Sequence, residues 1–167
     1  MKIVKDYLTH RPNLFDDNLT RIDKFILHDP GNNQSYSQVR RWLETTSRVG
    51  CYHDVIEGDT VYQLVPHDKR VFHAGTFEFS DHWPEIGTNG TQNRFSLGIC
   101  GIRNTNCWET GAKYIAYLLK EYGLGFTNRV NTHYQLSTLK TDPIELQGNM
   151  FNLFLDEVAK YYTGFNK

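Results

Sequence analysis

Lys24-Phe-Ile-Leu-His28-Asp-Pro-Gly31 is the stretch from which the fold is read. Phe25, Ile26 and Leu27 make a continuous apolar run, as a buried strand requires, and Asp29-Pro30-Gly31 closes it with turn chemistry. The turn leaves His28 at the strand end, where a side chain is well placed for chemistry. Downstream, with Ser37 as a plausible cap, Val39, Trp42 and Leu43 alternate with Arg40, Arg41 and Glu44, and the pattern predicts an amphipathic helix to about Thr46. Cys51 to Val65 reads as a hairpin about Gly58-Asp59, with Val55 and Ile56 before the turn and Val61, Tyr62 and Leu64 after it.

Phe95 to Ile102 is a further strand, and Asn128 to His133 a short one. Ile115, Leu118, Leu119 and Tyr122 fall at helical spacing and stop at Gly123, and Phe151, Phe154, Leu155, Val158 and Tyr162 repeat the spacing. Strands and helices interleave, so the expected architecture is one α/β domain over residues 1–167, a central mixed sheet flanked by helices. Thr76 to Arg94, rich in Gly, Asn, Thr and aromatics, exceeds a common connection and is expected to be a functional loop.

The bulk properties narrow the function. The chain has 167 residues, 39% hydrophobic and 22% charged, the composition of one globular domain. A net charge of -1 and a pI near 6.6 give no broad basic field, so neither nucleic acid nor a membrane surface is expected as a partner. No apolar run approaches the roughly 20 residues of a membrane helix. The start, MKIVKDYLTHRPN, lacks the apolar core of a signal peptide, so synthesis in the cytoplasm is expected. Cys51, Cys100 and Cys107 are an odd set without framework spacing and are expected to be reduced thiols. No repeat, low-complexity tract or linker divides the chain.

Seven histidines raise the question of a metal. His133-Tyr-Gln-Leu-Ser-Thr-Leu-Lys-Thr-Asp-Pro143 can fold an imidazole and a carboxylate onto one ion, with Pro143 holding Asp142 in irregular backbone. Adding His28 gives two imidazoles and a carboxylate, a set that catalytic zinc uses while keeping a fourth position open. One anionic ligand leaves the ion net positive, which lowers the pKa of a water to about 7 and supplies a nucleophile for an amide carbonyl. The developing oxyanion needs a fixed cation or donor opposite the metal. Lys140 fits that position or, on spacing alone, is a solvated surface charge.

These pieces together resemble the type 2 N-acetylmuramoyl-L-alanine amidase family, which includes phage endolysins, muropeptide amidases and peptidoglycan recognition proteins. The resemblance runs from about Phe25 to Phe154: Phe-Ile-Leu-His28, the hairpin Cys51-Tyr-His-Asp-Val-Ile with Val-Tyr-Gln-Leu-Val65, Phe72-His-Ala-Gly75, Asn93-Arg-Phe-Ser-Leu-Gly-Ile99, and His133 with Lys140-Thr-Asp-Pro143. It implies one zinc ion held by His28, His133 and Asp142, with Lys140 stabilising the transition state and Tyr52 assisting the water or oxyanion. Read alone, Tyr52 is equally a packed strand aromatic. Strand alternation predicts that Tyr52 and His53 do not both face the metal without a bulge. His53, His73, Asn93 and Arg94 are the implied contacts to sugar or stem peptide; a structural histidine at 73 and loop-ordering groups at 93 and 94 are the alternatives.

The resemblance further implies hydrolysis of the bond between N-acetylmuramic acid and L-alanine in bacterial peptidoglycan, by a monomeric phage endolysin or its catalytic domain that reaches the wall by holin-assisted release. A muropeptide-recycling amidase and a non-catalytic peptidoglycan-binding module are the other readings. The chain departs from the family in one respect: many members carry glutamate directly after Ser-x-Gly-Ile, where this chain has Cys100, so proton transfer falls to Tyr52, a zinc-bound water or Lys140. Cys51 and Cys100 are secondary ligand candidates or packed thiols.

Overall fold

The computed structural model describes residues 1–31, 33–74, 93–103, 105–136 and 140–164. Six strands form the main sheet: β1 (Lys2–Lys5), β3 (Lys24–His28), β4 (Asp54–Glu57), β5 (Thr60–Gln63), β7 (Ser96–Gly101) and β8 (Val130–Thr132), in the order β1-β5-β4-β7-β3-β8. The sheet is mixed, because only the β4–β5 hairpin is antiparallel and every other neighbour is parallel. β2 (Phe15–Asp16) and β6 (Arg70–Val71) make a separate antiparallel pair. The expected loop over 76–94 lies outside the described residues apart from Asn93 and Arg94.

Helices α1 (Tyr36–Thr45), α2 (Trp108–Glu121), α3 (His133–Leu136) and α4 (Asn149–Gly164), with a 3-10 turn at Ile144–Leu146, complete the described elements. The α1 cap is Ser35 rather than Ser37, because Gln38 stands three residues after Ser35 and closes a reciprocal capping box with it. At the far end of α2, Gly123 adopts φ 63°, while Leu124 N–H donates to Leu119 O at 2.8 Å and Gly123 N–H to Lys120 O at 3.1 Å. This double bond satisfies the last carbonyls and is why the apolar repeat stops at a glycine.

Strand alternation sorts the side chains into two cores. Phe25, Leu27, Ile56, Leu97 and Ile99 face α2 and α4, packing on Ile115, Leu119, Phe154 and Val158. Val55 and Cys100 face the other way, onto Tyr36, Val39 and Leu43 of α1. Ile26 belongs to a third cluster with Ala74 and Leu136. Since His28 is two residues beyond Ile26, it points to that same side and away from the α2–α4 layer. Among the described residues no helix is long and apolar enough to cross a membrane.

A buried polar network ties β4 to α2. The Asp54 carboxylate is fully buried and receives Tyr114 OH at 3.1 Å and His67 Nε2 at 2.9 Å, while His67 Nδ1 lies 2.7 Å from Tyr122 OH. Removing the carboxylate strands both partners in a low-dielectric interior. Asp54→Ala is expected to cost about 3 to 5 kcal/mol, whereas Glu44→Ala, which breaks an exposed pair with Arg40, is expected to cost less than about 1 kcal/mol. Denaturant unfolding midpoints measure both.

Candidate metal centre and groove

His28 ends β3, His133 begins the turn after β8, and β3 and β8 are parallel neighbours, so their ends deliver both imidazoles to one edge of the sheet. The ring centroids are 4.6 Å apart. Asp142 enters from the following segment, its Oδ2 3.1 Å from His28 Nδ1 and 3.1 Å from His133 Nδ1. One possible ligand atom from each of the three lies within 4.8 Å of the others, and among the described residues this is the one such group.

Two contacts hold the carboxylate in place. Tyr134 N–H donates to Asp142 O at 3.0 Å, and Ile144 N–H donates to Asp29 Oδ2 at 2.7 Å. Arg103 in turn donates to both Asp29 oxygens, at 2.8 and 2.9 Å. Asp29 therefore links the turn after His28, the loop after β7 and the segment bearing Asp142. Neither Asp29 nor Arg103 was singled out from the sequence as a site residue; the available signal was an aspartate directly after the first imidazole.

The donor set fits zinc. Tetrahedral zinc with bonds of roughly 2.0–2.1 Å separates its ligands by about 3.3 Å; both His–Asp142 distances are 3.1 Å, and the three ligand atoms as a set lie within 4.8 Å of one another. Burial pushes His28 down to about 4, with the Asp142 hydrogen bond opposing, so its imidazole is neutral near pH 7 and has a lone pair to offer. Burial alone would raise Asp142, but hydrogen bonds from His133 and His28 hold it well below the usual carboxylate range.

The three residues sit in a groove of about 600 Å³ that is also lined by Trp42, Val49, Tyr52, Phe72, His73, Arg103, Lys140 and Ile144. Tyr52 packs beside His28 with centroids 5.4 Å apart. Burial, then the nearby Cys100 and Asp142, raise its hydroxyl well above the ordinary tyrosine value, so it serves as a hydrogen-bond donor and not as a base. Lys140 is exposed along the groove. Trp42, expected on the buried stripe of α1, is instead 42% exposed at the groove, while Val39 and Leu43 are buried. Val49 and Ile144, 54% and 50% exposed, share that rim.

Three of the expected substrate contacts, His53, Asn93 and Arg94, do not line this groove among the described residues. His53 has no exposed surface; its Nδ1 accepts Gly98 N–H at 3.0 Å and its Nε2 donates to Lys69 O at 3.0 Å, so its ring braces the interior. Asn93, 1% exposed, accepts His73 N–H and Ala74 N–H through Oδ1 at 3.1 and 2.8 Å and orders that turn. Arg94 is exposed but is not among the groove-lining residues, and its carbonyl accepts Thr20 N–H at 2.9 Å. His73 does border the groove, yet both its nitrogens have protein partners: Nδ1 lies 3.1 Å from His28 Nε2, and Nε2 lies 3.3 Å from Ser96 O and 3.1 Å from Ser96 Oγ.

The three cysteines are free thiols. Cys100 pairs in register with His28 across β3–β7 and is wholly buried, and burial pushes its thiol well above the ordinary value. Burial likewise raises Cys51 to about 12. Both pack in the α1-side core, the alternative to ligation considered above.

Buried neutral histidines make stability depend on pH. Burial pushes His28 to about 4 and His53 to about 3, so between about pH 4 and 6.5 the unfolded chain binds protons that the folded chain does not. Stability of the metal-free protein is therefore full above that window and falls as pH drops through it. Asp142 adds a loss only at lower pH, because its carboxyl is depressed below its ordinary 3.8. The urea midpoint at pH 5 is expected to lie below that at pH 7, on the order of 2 kcal/mol for each histidine.

Comparison with known proteins agrees with this geometry. The family profile of N-acetylmuramoyl-L-alanine amidase matches residues 18–145. The N-acetylmuramoyl-L-alanine amidase CwlA of Bacillus subtilis (strain 168) is 28% identical over 141 residues, which is 80% of this chain and 48% of CwlA, so the chain spans about half the length of that relative. The catalytic domain of XlyA superposes with a TM-score of 0.73 at 20% identity, covering 95% of this chain and 99% of that one. Staphylococcus aureus AmiA, solved with its ligand, gives 0.74 at 18% identity over 97% and 83%. With the profile spanning both strands and the loop that bring His28, His133 and Asp142 together, the chain belongs to the N-acetylmuramoyl-L-alanine amidase family.

Proposed function

We propose that this chain is a zinc-dependent N-acetylmuramoyl-L-alanine amidase that cleaves the amide between N-acetylmuramic acid and L-alanine in bacterial peptidoglycan, as a phage endolysin or its catalytic domain acting at the wall after holin-assisted release. The observation that carries the reading is the meeting of His28, His133 and Asp142 in a groove that also presents Tyr52 and Lys140. In this reading the two imidazoles and the carboxylate hold one zinc ion. When bound, zinc supplies a Lewis acid for the scissile carbonyl and brings the pKa of a water to about 7.

The chain's own groups have separate tasks. Lys140, exposed in the groove, offers a fixed positive charge to the oxyanion as the carbonyl becomes tetrahedral. Tyr52, kept protonated by burial, donates a hydrogen bond to that oxygen or to the attacking water. Cys100, buried with a raised thiol pKa, is not an acid or base near neutrality. The exposed apolar rim of Trp42, Val49 and Ile144 suits the hydrocarbon faces of sugar and peptide, while Lys140 suits the carboxylates of a stem peptide.

His28→Ala and Asp142→Ala are expected to stay folded, lose zinc and clear no cell walls. Lys140→Ala is expected to retain zinc and lose about 10²–10³ in turnover, the scale of one oxyanion donor. Mass spectrometry of digested peptidoglycan tests the bond assignment: free muramic lactyl groups and new L-alanine amino termini are expected together. Cleavage of glycan or of peptide crosslinks in their place contradicts it.

A further inference from the structure

His28 can offer its Nδ1 lone pair to a metal only if its ring hydrogen is on Nε2, and among the described residues Nε2 faces His73 Nδ1 at 3.1 Å. That nitrogen accepts the hydrogen only if His73 carries its own on Nε2. There the structure supplies the bias. His73 Nε2 lies 3.3 Å from Ser96 O, and a carbonyl oxygen can accept but never donate. Ser96 Oγ at 3.1 Å can turn to accept as well. When His28 Nδ1 serves as a metal ligand, donation therefore runs from the backbone outward, His73 Nε2–H to Ser96 O and His28 Nε2–H to His73 Nδ1, whereas in the metal-free chain a hydrogen on His28 Nδ1 donates to Asp142 Oδ2.

The chain of contacts is built into the sheet. Its members are buried, His28 at 2%, His73 at 5% and Ser96 at 2% exposure. Asn93 Oδ1 anchors the His73 backbone N–H at 3.1 Å. The His73 ring lies on Gly98, where an added Cβ would stand 2.5 Å from Cγ of the imidazole, so position 98 has to lack a side chain. The Ser-x-Gly segment of β7 hence acts twice, providing through Ser96 the acceptor and through Gly98 the room.

We propose that His73 is a positioning residue that fixes the Nε2–H tautomer and ring orientation of His28, and so tightens metal binding without touching metal or substrate. A neighbour of this kind typically carries 10- to 100-fold in metal affinity. The inference rests on the zinc reading given above.

The test is zinc affinity of the folded full chain, by competition with a chromophoric chelator, together with long-range ¹H–¹⁵N spectra of the zinc-loaded protein. His73→Leu is expected to keep wild-type circular dichroism and to weaken zinc 10- to 100-fold. His73→Gln, whose amide oxygen can accept from His28 Nε2, is expected to recover part of the loss. In the wild-type spectrum, the His28 proton is expected on Nε2. Should the leucine variant fail to fold, Gly98→Ala, which keeps the imidazole but displaces it, is expected to weaken zinc in the same sense. A folded His73→Leu or Gly98→Ala protein with wild-type zinc affinity overturns the inference alone. Failure of the wild-type chain to take up zinc overturns the metal reading with it, so the two failures are distinguishable.

Discussion

Asp142 Oδ2 stands 3.1 Å from Nδ1 of His28 and 3.1 Å from Nδ1 of His133, and separate pieces of chain must be held still for that to happen. The parallel pairing of β3 with β8 brings the imidazoles together. The Asp142 backbone is tied to Tyr134, and its neighbour Ile144 to Asp29, which Arg103 clamps from the loop after β7. With protons on both Nδ1 atoms the imidazoles donate to one carboxylate; without them, each of the three residues offers one ligand atom within 4.8 Å of the others. The same three side chains thus form a hydrogen-bonded cluster in the metal-free chain and the candidate donor set for a divalent ion.

The sheet separates stability from chemistry. Phe25 and Leu27 turn to the α2–α4 layer, while Ile26 and His28 turn away from it. Most of the large apolar side chains of β3, β7 and β8 therefore bury on one face, and the opposite face is left for polar groups at the strand ends. Across that face β7 contributes Gly98 beside Ile26 and Cys100 beside His28. A glycine with an imidazole lying on it and a small buried thiol leave room where bulkier residues would close the site.

Much of this was legible from the sequence. The buried run ending at His28, the hairpin about Gly58-Asp59, the Ser96–Gly101 strand and the two long helices all match, because each carries a strong local signal of periodicity or turn chemistry. β1 went unread, since Lys2–Lys5 is a short, mostly exposed edge strand whose partner β5 lies far along the chain. The α1 cap shifted by two residues because two serines compete and only Ser35 has a glutamine at the right offset. Trp42 carries the spacing of a core residue, and no sequence pattern states that the groove runs along that edge of the helix. His28, His133 and Asp142 lie together at the strand ends, whereas His53 and Asn93 turn inward: a histidine or asparagine looks the same in sequence whether it meets a ligand or a backbone amide. That distinction is tertiary, made by the Gly98 N–H at 3.0 Å from His53 and the His73 and Ala74 N–H groups around Asn93.

X-ray absorption at the zinc edge of the loaded protein addresses the central claim most directly, because it distinguishes imidazole and carboxylate from thiolate. The account expects one zinc per chain with nearest scatterers of nitrogen and oxygen only, at about 2.0–2.1 Å, and the outer-shell pattern of two imidazoles. A sulfur scatterer at about 2.3 Å, as Cys51 or Cys100 would give, or a chain that retains no zinc, would contradict it.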